Sequence, residues 1–157
     1  MTSLTSTPQR RQLRFHTLDD IVDDARAIVN APHATLGQWS AGQILDHLAA
    51  GIECAFDGYG FRAPLLIRLL VRPFRNGVLV KPMRAGFRLP KRGAILLPKD
   101  TVDTQQALAR LERCTERLKA ENPTQPHPVL GYLSAPDYRL LHLRHSELHL
   151  SFIVPTP

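Results

Sequence analysis

Four amphipathic segments, each with its own start signal, constrain the fold of this chain more than any other feature. Apolar residues recur at helical spacing over residues 17–31, 40–57, 103–122 and 134–152. Each segment opens on a residue suited to cap a helix, namely Thr17, Ser40, Asp103 and Ser134. A chain of 157 residues is long enough to bury one substantial core. We therefore expect an all-α, antiparallel four-helix bundle that forms a single domain over residues 1–157.

The start signals are specific enough to fix where the helices begin. Ser40 and Gln43 stand three residues apart, as in a capping box, where each side chain satisfies the other residue's backbone N–H. Asp103 and Gln106 repeat this spacing. Pro136 falls in the first turn of the last segment, where a missing N–H costs little. The pattern thus indicates helix entry points more sharply than helix ends.

A long connection separates the second and third predicted helices. Residues 58–100 are rich in Pro and Gly and carry one short apolar stretch, residues 65–71, which we expect to be a helix lying on the bundle. The rest of this insert is predicted to be irregular. A connection of this length is usually functional or loosely ordered.

The insert is also strongly basic. Between Tyr59 and Lys99 there is no Asp or Glu, whereas ten side chains are cationic: Arg62, Arg68, Arg72, Arg75, Lys81, Arg84, Arg88, Lys91, Arg92 and Lys99. The formal net charge of the chain is +6, so the remainder is mildly acidic. In a helix, Arg68, Arg72 and Arg75 form one cationic stripe opposite Leu66, Leu69 and Leu70.

This stripe has several readings. It could hold the carboxylates or phosphates of a small anionic substrate beside a metal, or it could contact an anionic membrane surface or nucleic acid. A solubilising loop is the simplest alternative. Nucleic acid is disfavoured, because the insert has few aromatic side chains and no recognisable recognition motif.

Histidines on the last predicted helix indicate a metal site. On a helical wheel His145 falls on the apolar stripe with Tyr138 and Leu141, and it can pair with His149 at i+4 or with His142 at i+3. His142 and His149 are about 10 Å apart along the helix, so one ion cannot readily bind both. The spacing leaves that choice open, and a satisfied core histidine remains an alternative for His145.

A third ligand is expected from another helix, because three side chains on one helix rarely surround an ion. The best candidate is His47, although it lies at the border of the polar face and could instead be exposed or pack between helices. Cys54 follows two turns later as an accessory ligand, a reactive thiol or, more simply, a small buried hydrophobe. We assign Glu147 no catalytic role and read Asp46 as a solvated surface charge.

Cysteine content and hydropathy indicate the cellular compartment of the protein. Two cysteines, Cys54 and Cys114, are too few for a disulfide framework and lack Cys-x-x-Cys spacing. Arg10 and Arg11 precede an acidic amphipathic stretch and not the apolar region of an export signal. No apolar run approaches the ~20 residues that cross a bilayer. We predict a cytoplasmic protein without a transmembrane segment.

Three blocks of sequence together resemble a known superfamily. They are residues 35–49 (TLGQWSAGQILDHLA), 127–134 (HPVLGYLS) and 144–152 (RHSELHLSF). The chain is similar, from Leu13 to Phe152, to the DinB-like superfamily, and within it to an uncharacterised bacterial branch known as a domain of unknown function. The resemblance implies a four-helix bundle with a metal held by His47, His145 and His149.

The resemblance also implies a chemistry. Three imidazoles on a nickel, zinc, manganese or iron ion leave coordination positions open, as in catalytic sites. A low-molecular-weight thiol would bind there with a lowered pKa, in a thiol-dependent transferase or in related metal-assisted chemistry on a small molecule. The alternative is a non-catalytic binding or scaffold domain, conceivably a homodimer, whose basic insert contacts an anionic partner.

Overall fold

The computed structural model describes residues 9–86 and 91–157, apart from the side chains of Lys91 and Arg92. These residues are mostly helical. The helices are α1 (Leu18–Val29), α2 (Ala41–Asp57), α3 (Leu65–Val71), α4 (Arg75–Val80), α5 (Thr104–Ala120) and α6 (Ala135–Leu150). Short 3-10 turns cover Arg72–Phe74 and Lys91–Leu96, and two strands, β1 (His33–Thr35) and β2 (Ile153–Pro155), pair antiparallel.

The predicted helix starts are confirmed. Ser40 and Gln43 form a reciprocal capping box at the start of α2, with N···O distances of 2.9 and 3.2 Å. Thr17 makes the equivalent box with Asp20 at α1. Asp103 accepts the backbone N–H of Gln106, but the return bond of a full box is missing. Local capping chemistry therefore fixed the entry of each long helix.

The long helices bury one continuous apolar core. Helix α2 packs against α5 and α6, and α1 contacts both of the latter helices. Side chains that are almost fully buried come from α2, α5 and α6, namely Leu45, Leu48, Ile52, Leu111, Leu118 and Leu150. The predicted all-α class fits this arrangement, and the small sheet is an addition to it.

The second strand of the sheet begins directly after the predicted end of the last helix. Helix α6 ends at Leu150 and not near Phe152, because the chain turns and Ile153 pairs with Thr35. The backbone N–H of Leu36 also donates to the carbonyl of Phe152 at 2.8 Å. An apolar run of three residues cannot by its own periodicity reveal a strand partner more than a hundred residues away.

A buried ionic network attaches the N-terminal segment to α6. The backbone N–H of Phe15 donates to Glu147 at 2.6 Å, and Arg144 donates to the Phe15 carbonyl at 2.6 Å. Arg144 and Glu147 also pair with each other at 3.0 Å while both are nearly inaccessible to solvent. Glu147 thus has a structural role.

The insert is more ordered than predicted, since α3 and α4 follow one another within it. Helix α4 is attached through buried Leu79 and through an ion pair between Arg75 and Asp137 at 2.7 Å. The predicted helix at residues 65–71 is confirmed, but none of its side chains is buried. Among the predicted basic residues, Arg88 and the side chains of Lys91 and Arg92 lie outside the described part.

Within the described ranges, no helix combines the length and apolar character needed to cross a bilayer.

Candidate metal centre

His47 lies in the first half of α2, and the residue is buried with only 4% of its surface exposed. Of the alternatives left open for His47, exposure to solvent is therefore wrong. The wheel placed it correctly relative to its neighbours on α2. However, α6 and the end of the insert cover the side of the helix that the sequence left open.

The three predicted imidazoles converge. One nitrogen from each of His47, His145 and His149 lies within 4.8 Å of the other two. The Nε2 atoms of His47 and His145 are 3.1 Å apart. Two imidazoles bound to one ion at about 2.0–2.1 Å hold their nitrogens roughly 2.9–3.4 Å apart. The observed separation therefore fits shared ligation of a small divalent ion.

A backbone carbonyl sets the tautomer of His47. The Nδ1–H group of His47 donates to the carbonyl of Leu96 at 2.6 Å, which leaves Nε2 as the nitrogen with the free lone pair. One turn earlier on α2, the side-chain amide of Gln43 donates to the carbonyl of Lys99 at 2.9 Å. Both bonds attach the end of the insert to α2, so the insert orients a candidate ligand.

Trp39 and Gly51 complete the surroundings of the rings. Trp39 stacks on His149 with centroids 5.8 Å apart and lies 4.9 Å from the ring of His47. A Cβ at Gly51 would stand 3.6 Å from the His145 ring, which is ordinary van der Waals contact, so Gly51 lies directly against that ring. Sequence reasoning gave neither residue a role. The one available signal was that Trp39 is the sole tryptophan and precedes the α2 cap directly.

Electrostatics keep all three imidazoles neutral. Burial lowers the pKa of His47, opposed by its bond to Leu96 and by the nearby Asp46 charge. Burial, and then the neighbouring His149 and His47, lower the pKa of His145 well below its usual value. Burial lowers the pKa of His149 to about 3. Neutral imidazole is the form that binds metals, and this cluster, with His47 buried and His145 and His149 half-buried, favours that form.

His142, the alternative partner of His145, takes another place. It lies buried near Tyr138, with ring centroids 6.2 Å apart, and its Nε2 has no hydrogen-bond partner among the residues that the structure describes. Burial lowers its pKa to about 3, with a smaller contribution from His127. The structure brings His149 and not His142 to the other two histidines, because the i+4 residue faces α2.

The remaining candidates have structural surroundings. Cys54 is buried against Tyr59 and Leu96, and burial raises the pKa of its thiol to about 11, which agrees with the simplest reading of that residue. The reading of Asp46 as a solvated charge is wrong. It pairs with Arg110 at 2.5 Å, and the same guanidinium also binds Glu53.

A comparison with known protein families gives one match. Residues 7–156 match the family described as Protein of unknown function (DUF1569). The chain belongs to this family. No curated protein and no solved structure matches the chain. For this DUF1569 member, the geometry of its side chains is therefore the main evidence about function.

The cationic stripe of this DUF1569 chain lies away from the histidines. Arg68, Arg72 and Arg75 line a groove of about 360 Å³ together with Leu65, Leu69 and residues 129–132. None of the three clustered histidines lines it. Arg75 is neutralised by Asp137 in the first turn of α6, whereas His145 is eight residues further along that helix, about 12 Å away. The expectation of an anion site beside the metal gains no support from this placement.

Proposed function

We propose that this chain binds one divalent transition-metal ion through His47, His145 and His149. The observation that carries the proposal is the convergence of three neutral imidazole nitrogens from two helices within 4.8 Å. Imidazole ligands suit nickel, zinc and iron, whereas manganese, the fourth candidate, prefers oxygen ligands. The choice among them is left to metal analysis.

The wider surroundings also fit a metal ligand set. The Nδ1–H group of His47 donates to the backbone carbonyl of Leu96, which is the outer-sphere bond that metal-bound histidines typically make. Trp39 shields one side of the cluster. A satisfied core histidine is the competing account of His145, but it would not require two further imidazole rings within 5 Å, at 4.9 and 4.6 Å between centroids.

We further propose that the domain spans residues 1–157 as a four-helix bundle of DinB-like type. Support comes from the sequence resemblance and from the packing of α2 against α5 and α6, with α1 alongside. In characterised members of that superfamily, the metal is held by one histidine of the second helix and an i, i+4 pair of the last. The same pattern occurs here in α2 and α6.

The proposed reaction class is a thiol-dependent transfer or a related metal-assisted reaction on a small molecule. Three protein ligands leave positions on the ion where it could lower the pKa of a bound thiol or polarise a substrate. The chain's own cysteines are unsuited to supply that thiol. Burial raises their pKa values, to about 11 for Cys54 and about 12 for Cys114, so both stay protonated at neutral pH. A low-molecular-weight thiol would therefore have to come from solution.

The sole tryptophan allows a direct test of metal binding. Nickel or cobalt titrated into the untagged protein should quench Trp39 fluorescence with a stoichiometry of one, because the indole stacks on His149. His145→Ala should weaken binding at least 100-fold, since two imidazoles hold such ions poorly. His16→Ala is the matched control, because it removes an exposed imidazole outside the cluster. Equal affinity in all three proteins would contradict the proposal.

A second experiment separates the thiol from the metal. The cobalt-loaded protein should develop a sulfur-to-cobalt charge-transfer band when a small thiol is added. Absence of that band while cobalt remains bound would contradict the proposed thiol-dependent transfer but not the proposed metal site. Purified protein without metal, and without affinity for it, would instead favour the non-catalytic binding domain.

A further inference from the structure

Helix α3 is amphipathic but turns its apolar side to solvent. Its exposed side chains include Leu66 and Leu70, with 69% and 63% of their surfaces accessible. In the turn that follows, Phe74 is 69% exposed. The other large apolar residues of the segment are also exposed, and they are Leu65, Ile67, Leu69 and Val80. Exposed large apolar side chains this close together in the sequence mark a candidate contact site.

The side of α3 that carries Arg68 faces a groove of the protein, which Leu65, Leu69 and Arg72 also line. Arg68 lies in the groove against residues 129–132, and Arg75 is paired with Asp137. Helix α4 holds the segment in place through buried Leu79, and Arg14 donates to the carbonyl of Val80 at 3.2 Å. The apolar pattern of α3 by itself favours packing of its leucines against the rest of the protein. Here the attachment of α4 keeps them outside.

Cationic side chains surround this apolar face. Arg62, Arg72, Lys81 and Arg84 are exposed, and none of them pairs with a carboxylate among the described residues. The sequence from Tyr59 to Lys99 contains no acidic residue at all. Exposed leucine and phenylalanine within a field of uncompensated positive charge are the combination that binds the interface of an anionic lipid bilayer.

We propose that α3 and the turn after it dock this protein on an anionic membrane surface. The apolar side chains enter the headgroup boundary, and the arginines and the lysine contact lipid phosphates. A second copy of the chain fits less well. In a two-fold dimer the same surface of both copies meets, so the cationic side chains of one copy would face those of the other. Nucleic acid would leave at least five aliphatic side chains without an apolar partner. This proposal is independent of the metal site.

Vesicle sedimentation tests the proposal on the full chain. We expect the protein to sediment with phosphatidylcholine vesicles that contain phosphatidylglycerol, and to remain in solution with phosphatidylcholine alone. Salt should weaken the binding, because it screens the charge term. Equal sedimentation with both vesicle types, or with neither, would overturn the proposal.

Two sets of variants assign the binding to the segment. Leu66→Ser with Leu70→Ser should lower the partition constant about 100-fold, because each leucine withdrawn from water contributes roughly tenfold or more. Arg72→Gln with Arg84→Gln should lower it about fivefold per charge. Arg113→Gln, which removes an exposed arginine on α5, is the matched control and should bind as the parent does. Because every substituted side chain is already exposed, circular dichroism should show an unchanged fold.

The same variants show whether a partner other than a membrane covers the apolar face of α3. Concentration-dependent dimerisation that is lost in the double serine variant, without vesicle binding, would show that a second copy covers the face. Binding of the protein to duplex DNA that is unchanged in the double serine variant would show that the partner is nucleic acid. Vesicle binding that survives both sets of substitutions would assign it to another surface. Each of these results rejects the proposal. His145→Ala should leave vesicle binding unchanged.

Discussion

The histidine cluster and helix α3 are organised in opposite ways. The cluster gathers polar rings from α2 and α6, about a hundred residues apart in sequence, into the interior. Helix α3 gathers apolar neighbours within seven residues and presents them to solvent. In both places the usual relation between polarity and burial is reversed. Such reversals cost stability, which is why each points to a ligand or a partner and not to packing alone.

The first prediction concerns the buried ion pair of α6 and its contribution to the free energy of unfolding. Glu147→Ala should destabilise the protein by about 3–5 kcal/mol, because it leaves the Arg144 guanidinium buried without a counter-charge. Denaturant unfolding monitored by circular dichroism gives the free energy. Glu147→Gln, which still accepts the Phe15 N–H, should lose less. Equal losses in the two variants would mean that the lost charge accounts for the whole effect, and no loss in Glu147→Ala would contradict the prediction.

The second prediction concerns the pH dependence of stability, which a buried imidazole changes and the exposed side chains of α3 do not. Burial lowers the pKa of His142 to about 3, against 6.5 for a free histidine, so below pH 6.5 the unfolded chain binds more protons. The stability contributed by neutral His142 is therefore complete above pH 6.5 and is lost as pH falls toward 3. His142→Leu should reduce the loss between pH 7 and pH 4 by on the order of 2–3 kcal/mol.

That measurement requires chelator in both proteins, so that metal loss does not add to the slope. The clustered histidines still titrate in each variant, and only the His142 contribution should disappear. Parallel stability curves for the parent and His142→Leu would show that the His142 ring reaches water in solution.

The third prediction concerns α3 and is the smallest effect. Leu66→Ala should change the free energy of unfolding by less than about 0.5 kcal/mol, because the side chain has little apolar contact to lose. The measurement is repeated at a tenfold higher protein concentration. A loss above about 1 kcal/mol, or one that grows with concentration, would mean that a second copy buries the side chain.

Much of the helical framework follows from the sequence, for local reasons. Thr17, Ser40, Asp103 and Ser134 each cap the helix that the pattern assigned to them. Capping is a contact between residues three apart, so no tertiary information is needed to recognise it. The same holds for the i+4 spacing of His145 and His149, which requires only that they lie on a helix.

The tertiary structure decided what a single helix cannot reveal. The burial of His47, the selection of His149 over His142, and the carbonyl of Leu96 that sets the His47 tautomer all depend on how α2, α6 and the insert pack. The pairing of Thr35 with Ile153 and the ion pair of Asp46 with Arg110 are likewise long-range.

The outward orientation of α3 shows the same limit most clearly. Its sequence specifies an amphipathic helix, and by itself it favours burial of the leucines. The attachment of α4 through Leu79 and Arg75 turns that face to solvent. By itself the sequence determined where helices begin and which faces are apolar, because these are properties of neighbouring residues. Only the folded chain decided which faces meet, since that choice depends on contacts between residues far apart in sequence.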